Sequence, residues 1–143
     1  MNLCWLFTYS KIWEFLDTWL IMAKGHNTIF LQKYHHFGAF FVWYLTCYYN
    51  ISIVIVPTLF NSFVHTIMYL YYILCLFCIK LKTIKPFITL LQLVQLIIGD
   101  YFCFRYYVLQ RDINKYTIIT NLFIGYALIL IILFINFFRK SYF

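Results

Sequence analysis

The chain has 143 residues, of which 65% are hydrophobic, 24% aromatic and only 10% charged. A soluble domain carries about 25% charged residues, so this sequence lacks the polar surface of a water-soluble globule, and the same apolar content excludes disorder. The net charge of +7, from 11 basic and 4 acidic residues, belongs in the cytoplasmic loops of an integral membrane protein; no nucleic-acid partner is expected.

Apolar runs separated by short polar breaks predict an all-α integral membrane protein. Its five transmembrane helices lie over 3–23, 28–48, 51–77, 86–108 and 117–138, in a single domain, 1–143. The runs are too long for the ~10-residue alternating strands of a membrane β-barrel. The first holds Lys11, Glu14 and Asp17, which the apolar region of a cleaved signal would lack. The second follows Lys24-Gly25-His26-Asn27. The third follows Tyr49-Asn50, where Asn50-Ile51-Ser52 is a glycosylation sequon lying close against the bilayer. Cys75 and Cys78 form a C-x-x-C at the end of the third run and read as buried small hydrophobes rather than a redox or zinc pair. The fourth run follows Lys80 to Pro86, and the fifth follows Gln110 to Lys115.

Five spans put the termini on opposite sides. One side collects Lys24, Lys80, Lys82, Lys85, Arg139 and Lys140; the other has Arg111 and Lys115, offset by Asp112. The positive-inside rule makes the first side cytoplasmic, with the C-terminus cytosolic.

Polar groups inside spans are costly and mark functional candidates. Lys11, Glu14, Asp17 and Thr18 share one face of the first span, where an internal Lys11–Glu14 ion pair is the structural alternative. Gln32, His35 and His36 share a face of the second, with interfacial histidines as the alternative. Asn61, His65, Met68, Tyr69 and Tyr72 form a stripe on the third, although a lone helical histidine is more often a satisfied core residue. Thr89, Gln92 and Gln95 recur every third residue on the fourth, where interhelical hydrogen bonding is the alternative. Glu14, His35, His65 and Gln92 all fall roughly 9–18 Å below the cytosolic boundary at 1.5 Å per residue. Four helices thus offer histidine, carboxylate and amide groups at one depth, as a shared site opening toward the cytosol would. The distal half of the bundle is apolar and aromatic, which suits a long acyl chain.

An imidazole held away from water stays neutral and keeps a free ring nitrogen. Beside a thioester it could form an acyl-imidazole, while Asn61, Gln92 and Gln95 could donate to a developing oxyanion or enolate. A membrane di-iron oxygenase needs several histidine boxes, and this chain has four histidines in all. A single metal held by His35, His36, His65 and a carboxylate is the remaining metal reading; no metal is expected.

Four stretches resemble the boxes of the ELO fatty acid elongases. Lys11-Ile-Trp-Glu14-Phe-Leu-Asp17-Thr18 resembles K-x-x-E-x-x-D-T, and Gln32-Lys-Tyr-His35-His36 resembles H-x-x-H-H. Asn61-Ser-Phe-Val-His65-Thr-Ile-Met68-Tyr69-Leu-Tyr-Tyr72 resembles N-S-x-x-H-x-x-M-Y-x-Y-Y. Thr89-Leu-Leu-Gln92-Leu-Val-Gln95 resembles T-x-x-Q-x-x-Q. The ending Leu133-Phe-Ile-Asn136-Phe-Phe-Arg-Lys-Ser-Tyr is similar to the family's tail.

The resemblance implies a condensing enzyme of the endoplasmic reticulum membrane, a 3-oxoacyl-CoA synthase built as a helical barrel around an acyl tunnel. It would join malonyl-CoA to a long-chain acyl-CoA, releasing carbon dioxide and CoA, with no bound cofactor. His35 would be the nucleophile or base, supported by His36, with His65 assisting malonyl decarboxylation and condensation. Glu14 and Asp17 would orient these histidines. Lys11, Gln32, Asn61, Met68, Tyr69, Tyr72, Thr89, Gln92 and Gln95 would bind substrate. Implied partners are membrane lipids, the reductase and dehydratase of an elongation cycle, and a second copy in a homodimer. Gln32 stands where the family usually has histidine; glutamine there occurs in a branch associated with polyunsaturated chains. The resemblance starts near the family's third span, so the first two spans are expected to be lacking. A non-catalytic membrane subunit or lipid-binding remnant is the alternative.

Overall fold

The computed structural model describes residues 3–25, 29–77, 83–109 and 116–143, without the side chains of Asp17, Ile21 and Tyr116. The expectations for His26, Cys78, Lys80, Lys82, Arg111, Asp112, Lys115 and the Asp17 carboxylate lie outside the described residues. Five helices form: α1 (Leu3–Ala23), α2 (Phe30–Tyr48), α3 (Ile55–Leu76), α4 (Ile84–Leu109) and α5 (Tyr116–Tyr142), with one 3₁₀ turn, Ser52–Val54, leading into α3. Pro57 and Pro86 sit in the first turns of α3 and α4, where a missing N–H costs no helical hydrogen bond. Pro86 is therefore inside α4 rather than in the break before it. The last helix also runs past the predicted end at 138, with Arg139 and Lys140 in its final turn, where cations complement the helix dipole.

Two helix ends close by the same device. Gly25 has φ 75° and its N–H reaches Met22 O at 2.9 Å, which stops α1. Asn50 has φ 52°; its N–H bonds Cys47 O at 3.2 Å, and the Ile51 N–H bonds Thr46 O at 2.9 Å. That paired arrangement satisfies the last carbonyls of α2, and asparagine tolerates the left-handed conformation it requires.

Three helices are long and apolar enough to cross a membrane: Ser52–Leu76, Ile84–Leu109 and Thr117–Tyr142, with mean hydropathy 1.6, 1.7 and 2.7. The helices α1 and α2, of 21 and 19 residues, have the length to span at 1.5 Å per residue. Their hydropathy is lowered by the residues singled out above: Lys11, Glu14, Gln32, His35 and His36. Lys11 and Glu14 are buried in the bundle. Many apolar side chains point outward instead, among them Leu3, Trp13, Phe30 and Leu76, as a lipid-facing surface requires.

Helix α1 packs on α2, α2 on α5, α5 on α4, and α4 on α3. The helices therefore form a curved wall in the order α1–α2–α5–α4–α3. The buried apolar core lies in one half of it, from Ala39, Val42 and Trp43 through Ile53 and Val54 to Cys103, Ile119 and Phe123. There the Trp43 indole N–H donates to Thr58 Oγ1 at 2.8 Å. At the same end a disulfide joins Cys4 to Cys47, with Cα atoms 5.9 Å apart. Cys103 is a buried free thiol; Cys75, expected to be buried, is exposed on the outer face of α3.

Candidate functional site

The polar residues gather in the opposite half. There α2 and α4 begin and α1, α3 and α5 end, so the boxes on four helices converge although they are far apart in the chain. A cavity of about 540 Å³ is lined by nine of the expected residues: Gln32, His35, His36, His65, Met68, Tyr69, Tyr72, Gln92 and Gln95. Its apolar lining comes from Leu20, Ile29, Leu31, Leu96, Phe134 and Phe137. Counted from the helix ends, Glu14, His35, His65 and Gln92 sit roughly 8–17 Å inward.

Three imidazoles form the polar centre. The His35 ring lies 5.3 Å from that of His36 and 5.8 Å from that of His65, the latter pair within 19° of parallel. Thr18 Oγ1 is 3.2 Å from His36 Nδ1, so the last residue of the first box orients the second histidine of the second. Tyr69 packs its edge on His65 at 6.0 Å. Gln92 Nε2 donates to Met68 Sδ at 3.1 Å, which ties α4 to α3 at the cavity wall.

Lys11, Glu14 and Asn61 stand on the other side of His65. Lys11 Nζ donates to Glu14 Oε1 at 2.6 Å and to Asn61 Oδ1 at 2.8 Å, and lies 4.4 Å from the centre of the Phe7 ring. Glu14 Oε1 is 3.7 Å from His65 Nδ1. These groups line a second opening, about 430 Å³, in the seam between α1 and α3; His65 and Tyr69 border both spaces. The internal Lys11–Glu14 pair is therefore present, and it also reaches the imidazole cluster. Glu14 Oε2 and His65 Nδ1 are buried with no hydrogen-bond partner among the described residues.

Thr89 stands apart from both openings. It bonds Lys85 O at 3.2 Å and meets the Tyr142 hydroxyl at 3.1 Å, fastening the end of α5 to the start of α4. Glu14, His35 and His36 bring one ligand atom each to within 4.8 Å of one another. The Lys11 ammonium already neutralises that carboxylate, so a metal cation there would compete with a fixed cation.

Two residues escaped the sequence reading. Tyr126 donates its hydroxyl to the His35 carbonyl at 3.1 Å; one tyrosine among 14 in an apolar run carries no signal. Asp100 did carry one, being a carboxylate in mid-span. Its Oδ1 and Gln95 Oε1 are buried without hydrogen-bond partners among the described residues, and both residues line a void of about 30 Å³ with Asn61 and Tyr126.

Known proteins are similar to the chain along its whole length. The profile described as the "ELO: GNS1/SUR4 family" matches residues 1–143. "Very long chain fatty acid elongase 1" of Homo sapiens is 30% identical over 154 residues, covering 99% of this chain and 53% of that protein. "Fatty acid elongase 3" of Trypanosoma cruzi is 29% identical over 140 residues, covering 96% and 46%. "Fatty acid elongase 2" of Trypanosoma brucei brucei is 37% identical over 98 residues, covering 66% and 36%. The chain thus spans about a third to a half of the length of these relatives. No solved structure matches it.

Proposed function

The chain belongs to the ELO, or GNS1/SUR4, family, and from that premise we propose that it carries the condensing site of fatty acid elongation. The observation that carries this reading is the trio His35, His36 and His65 in a cavity that also offers the Gln32, Gln92 and Gln95 amides and an apolar wall of Leu20, Ile29, Leu31, Leu96, Phe134 and Phe137. A long acyl chain fits the apolar part, and its thioester then lies beside the imidazoles.

In the proposed reaction His35 attacks the acyl-CoA carbonyl. The C–S bond breaks, an acyl-imidazole forms, and the CoA thiolate leaves and takes up the imidazole proton. Malonyl-CoA then loses carbon dioxide, and the electron pair of the broken C–C bond becomes the enolate of acetyl-CoA. The enolate carbon attacks the acyl-imidazole, the C–N bond breaks, the departing imidazole nitrogen takes up a proton from water at the cavity mouth, and 3-oxoacyl-CoA leaves with neutral His35 restored. Thr18 holds His36 beside the nucleophile. Glu14 sets the orientation of His65, which faces the malonyl unit. Gln92, Gln95 and the Asn61 amide, whose oxygen is engaged by Lys11, supply donors for the oxyanion and enolate. Holding both reactants in one geometry supplies much of the acceleration.

The exposed cations Lys33, Lys85, Arg139 and Lys140, at the ends of α2, α4 and α5 that border the cavity, suit the phosphates of CoA. They favour a cytosolic face at this end. The Cys4–Cys47 disulfide lies at the opposite end of the α1–α2 pair and favours an oxidising compartment there. An endoplasmic reticulum membrane offers both faces. The 3-oxo product requires a reductase and a dehydratase to complete a cycle, and these are the proposed partners.

The test is an assay of membranes containing the protein, with labelled malonyl-CoA and a panel of long-chain acyl-CoAs. Products two carbons longer, lost in His35→Ala, are the expected result. Unchanged turnover in His35→Ala would remove His35 from this role.

A further inference from the structure

We propose that Tyr126, on α5, is a positioning residue for His35, and that Gly38 exists to admit its ring. The proposal rests on the condensing role of His35 given above. Three contacts on one stretch of α2 hold Tyr126. Its hydroxyl donates to the His35 carbonyl at 3.1 Å. Its ring stacks on Tyr34, 5.5 Å between centres and 27° between planes. The same ring fills the space over Gly38, where an added Cβ would overlap Cε2 and lie 2.7 Å from Cδ2.

These contacts fix α2 against α5 at the turn that carries the nucleophile. The hydroxyl bond sets the axial position of the His35 backbone, and the ring in the Gly38 slot sets the distance between the helices. Tyr126 also borders two spaces. On the inner side it lines the small polar void with Gln95 and Asp100. On the outer side it lines an apolar groove with Phe41 and Leu122. The ring is therefore the wall between that small void and the outer groove at the level of His35. Displacing a reacting group by about 1 Å costs on the order of a hundredfold in rate, so a clamp on this turn acts on turnover rather than on substrate affinity.

The experiment compares Tyr126→Phe, Gly38→Ala and the double variant in membranes containing the whole chain. Tyr126→Phe keeps the ring and removes the hydroxyl. Its kcat is expected to fall roughly tenfold or more, with KM for acyl-CoA unchanged. Gly38→Ala pushes the ring out of its slot and is expected to lose a similar amount. The double variant is expected to be little worse than either single, because both act through one contact. A second readout does not need turnover: the rate at which diethylpyrocarbonate modifies His35, with His65 as internal reference. In Tyr126→Phe that rate is expected to change at least threefold for His35 and to stay constant for His65. If the unsubstituted chain makes no elongated product, the condensing reading fails, and the modification rates alone decide the clamp. Wild-type modification rates at His35 in Tyr126→Phe, or a rise in KM with kcat intact, would overturn the proposal.

Discussion

Lys11 and Asn61, fifty residues apart in the chain, meet at 2.8 Å across the gap between the two outermost helices of the wall. Lys11 is 1% exposed, and its ammonium pairs with Glu14 at the same time. Removing one member of a buried pair leaves the other uncompensated, at a cost of about 3–5 kcal/mol. Lys11→Met is therefore expected to lower the thermal midpoint of the detergent-solubilised protein sharply. Lys11→Met combined with Glu14→Gln is expected to restore most of that stability without restoring chain elongation. Thermal unfolding followed by size exclusion measures the first effect, and the labelled malonyl-CoA assay the second.

Thr18 bonds His36 through its hydroxyl. Thr18→Val removes the partner of Nδ1 while preserving shape, and about a tenfold loss of kcat is expected from the freed imidazole, with Thr18→Ser close to the unsubstituted chain. Equal activity of the valine and serine variants would show that the hydroxyl has no part in orienting the ring.

Trp43 lies in the buried core at the other end, where its indole N–H donates to Thr58. Trp43→Phe loses that bond and strands the Thr58 hydroxyl, at a cost of about 1 kcal/mol. The expected outcome is a modest drop in thermal midpoint with turnover per folded molecule retained, checked by unfolding and rate measurements on the same preparation.

The cluster Glu14, His35 and His36 allows a direct test of metal dependence. Exhaustive dialysis against a chelator is expected to leave elongation intact, because the proposed chemistry needs only imidazole and amide groups. Activity lost on chelation and regained with zinc or ferrous iron would move these three residues into a metal centre.

Cys4 and Cys47 are joined, whereas Cys75 is free and exposed. In non-reduced membranes opened with detergent, a maleimide is expected to label Cys75 at once and to reach Cys4 and Cys47 only after reduction. Labelling of Cys4 without reductant would contradict the pairing.

The sequence disclosed the helices because long apolar runs between charged breaks leave few other structures available. It disclosed most of the cavity lining because a polar side chain in a span needs a reason. His35, His65, Gln32 and Gln92 stood out against leucine and phenylalanine, and they line one cavity. What remained hidden depends on neighbours rather than on residue type. Tyr126 is one aromatic residue among many until α5 is laid beside α2. Cys4 and Cys47 look like apolar fillers until the ends of α1 and α2 meet. Thr89 belongs to a polar row but spends its hydroxyl on Tyr142, a partner that only the extended end of α5 supplies. Asp100 was visible as a carboxylate in mid-span, yet no box enclosed it, and only the fold sets it beside Gln95.

The Cys4–Cys47 bond constrains how the cavity can widen. The first two helices are joined by the chain at one end and by sulfur at the other, like rails with a rung at each extremity. Such a frame cannot slip by the 5.4 Å of one helical turn, so the Lys11–Glu14 turn stays level with the His35–His36 turn. Widening that admits a long chain is then left to α3 and α4, since Tyr126 holds α5 against α2. The imidazoles on α2 are the fixed jaw, and opening on the α3 side would part Lys11 from Asn61.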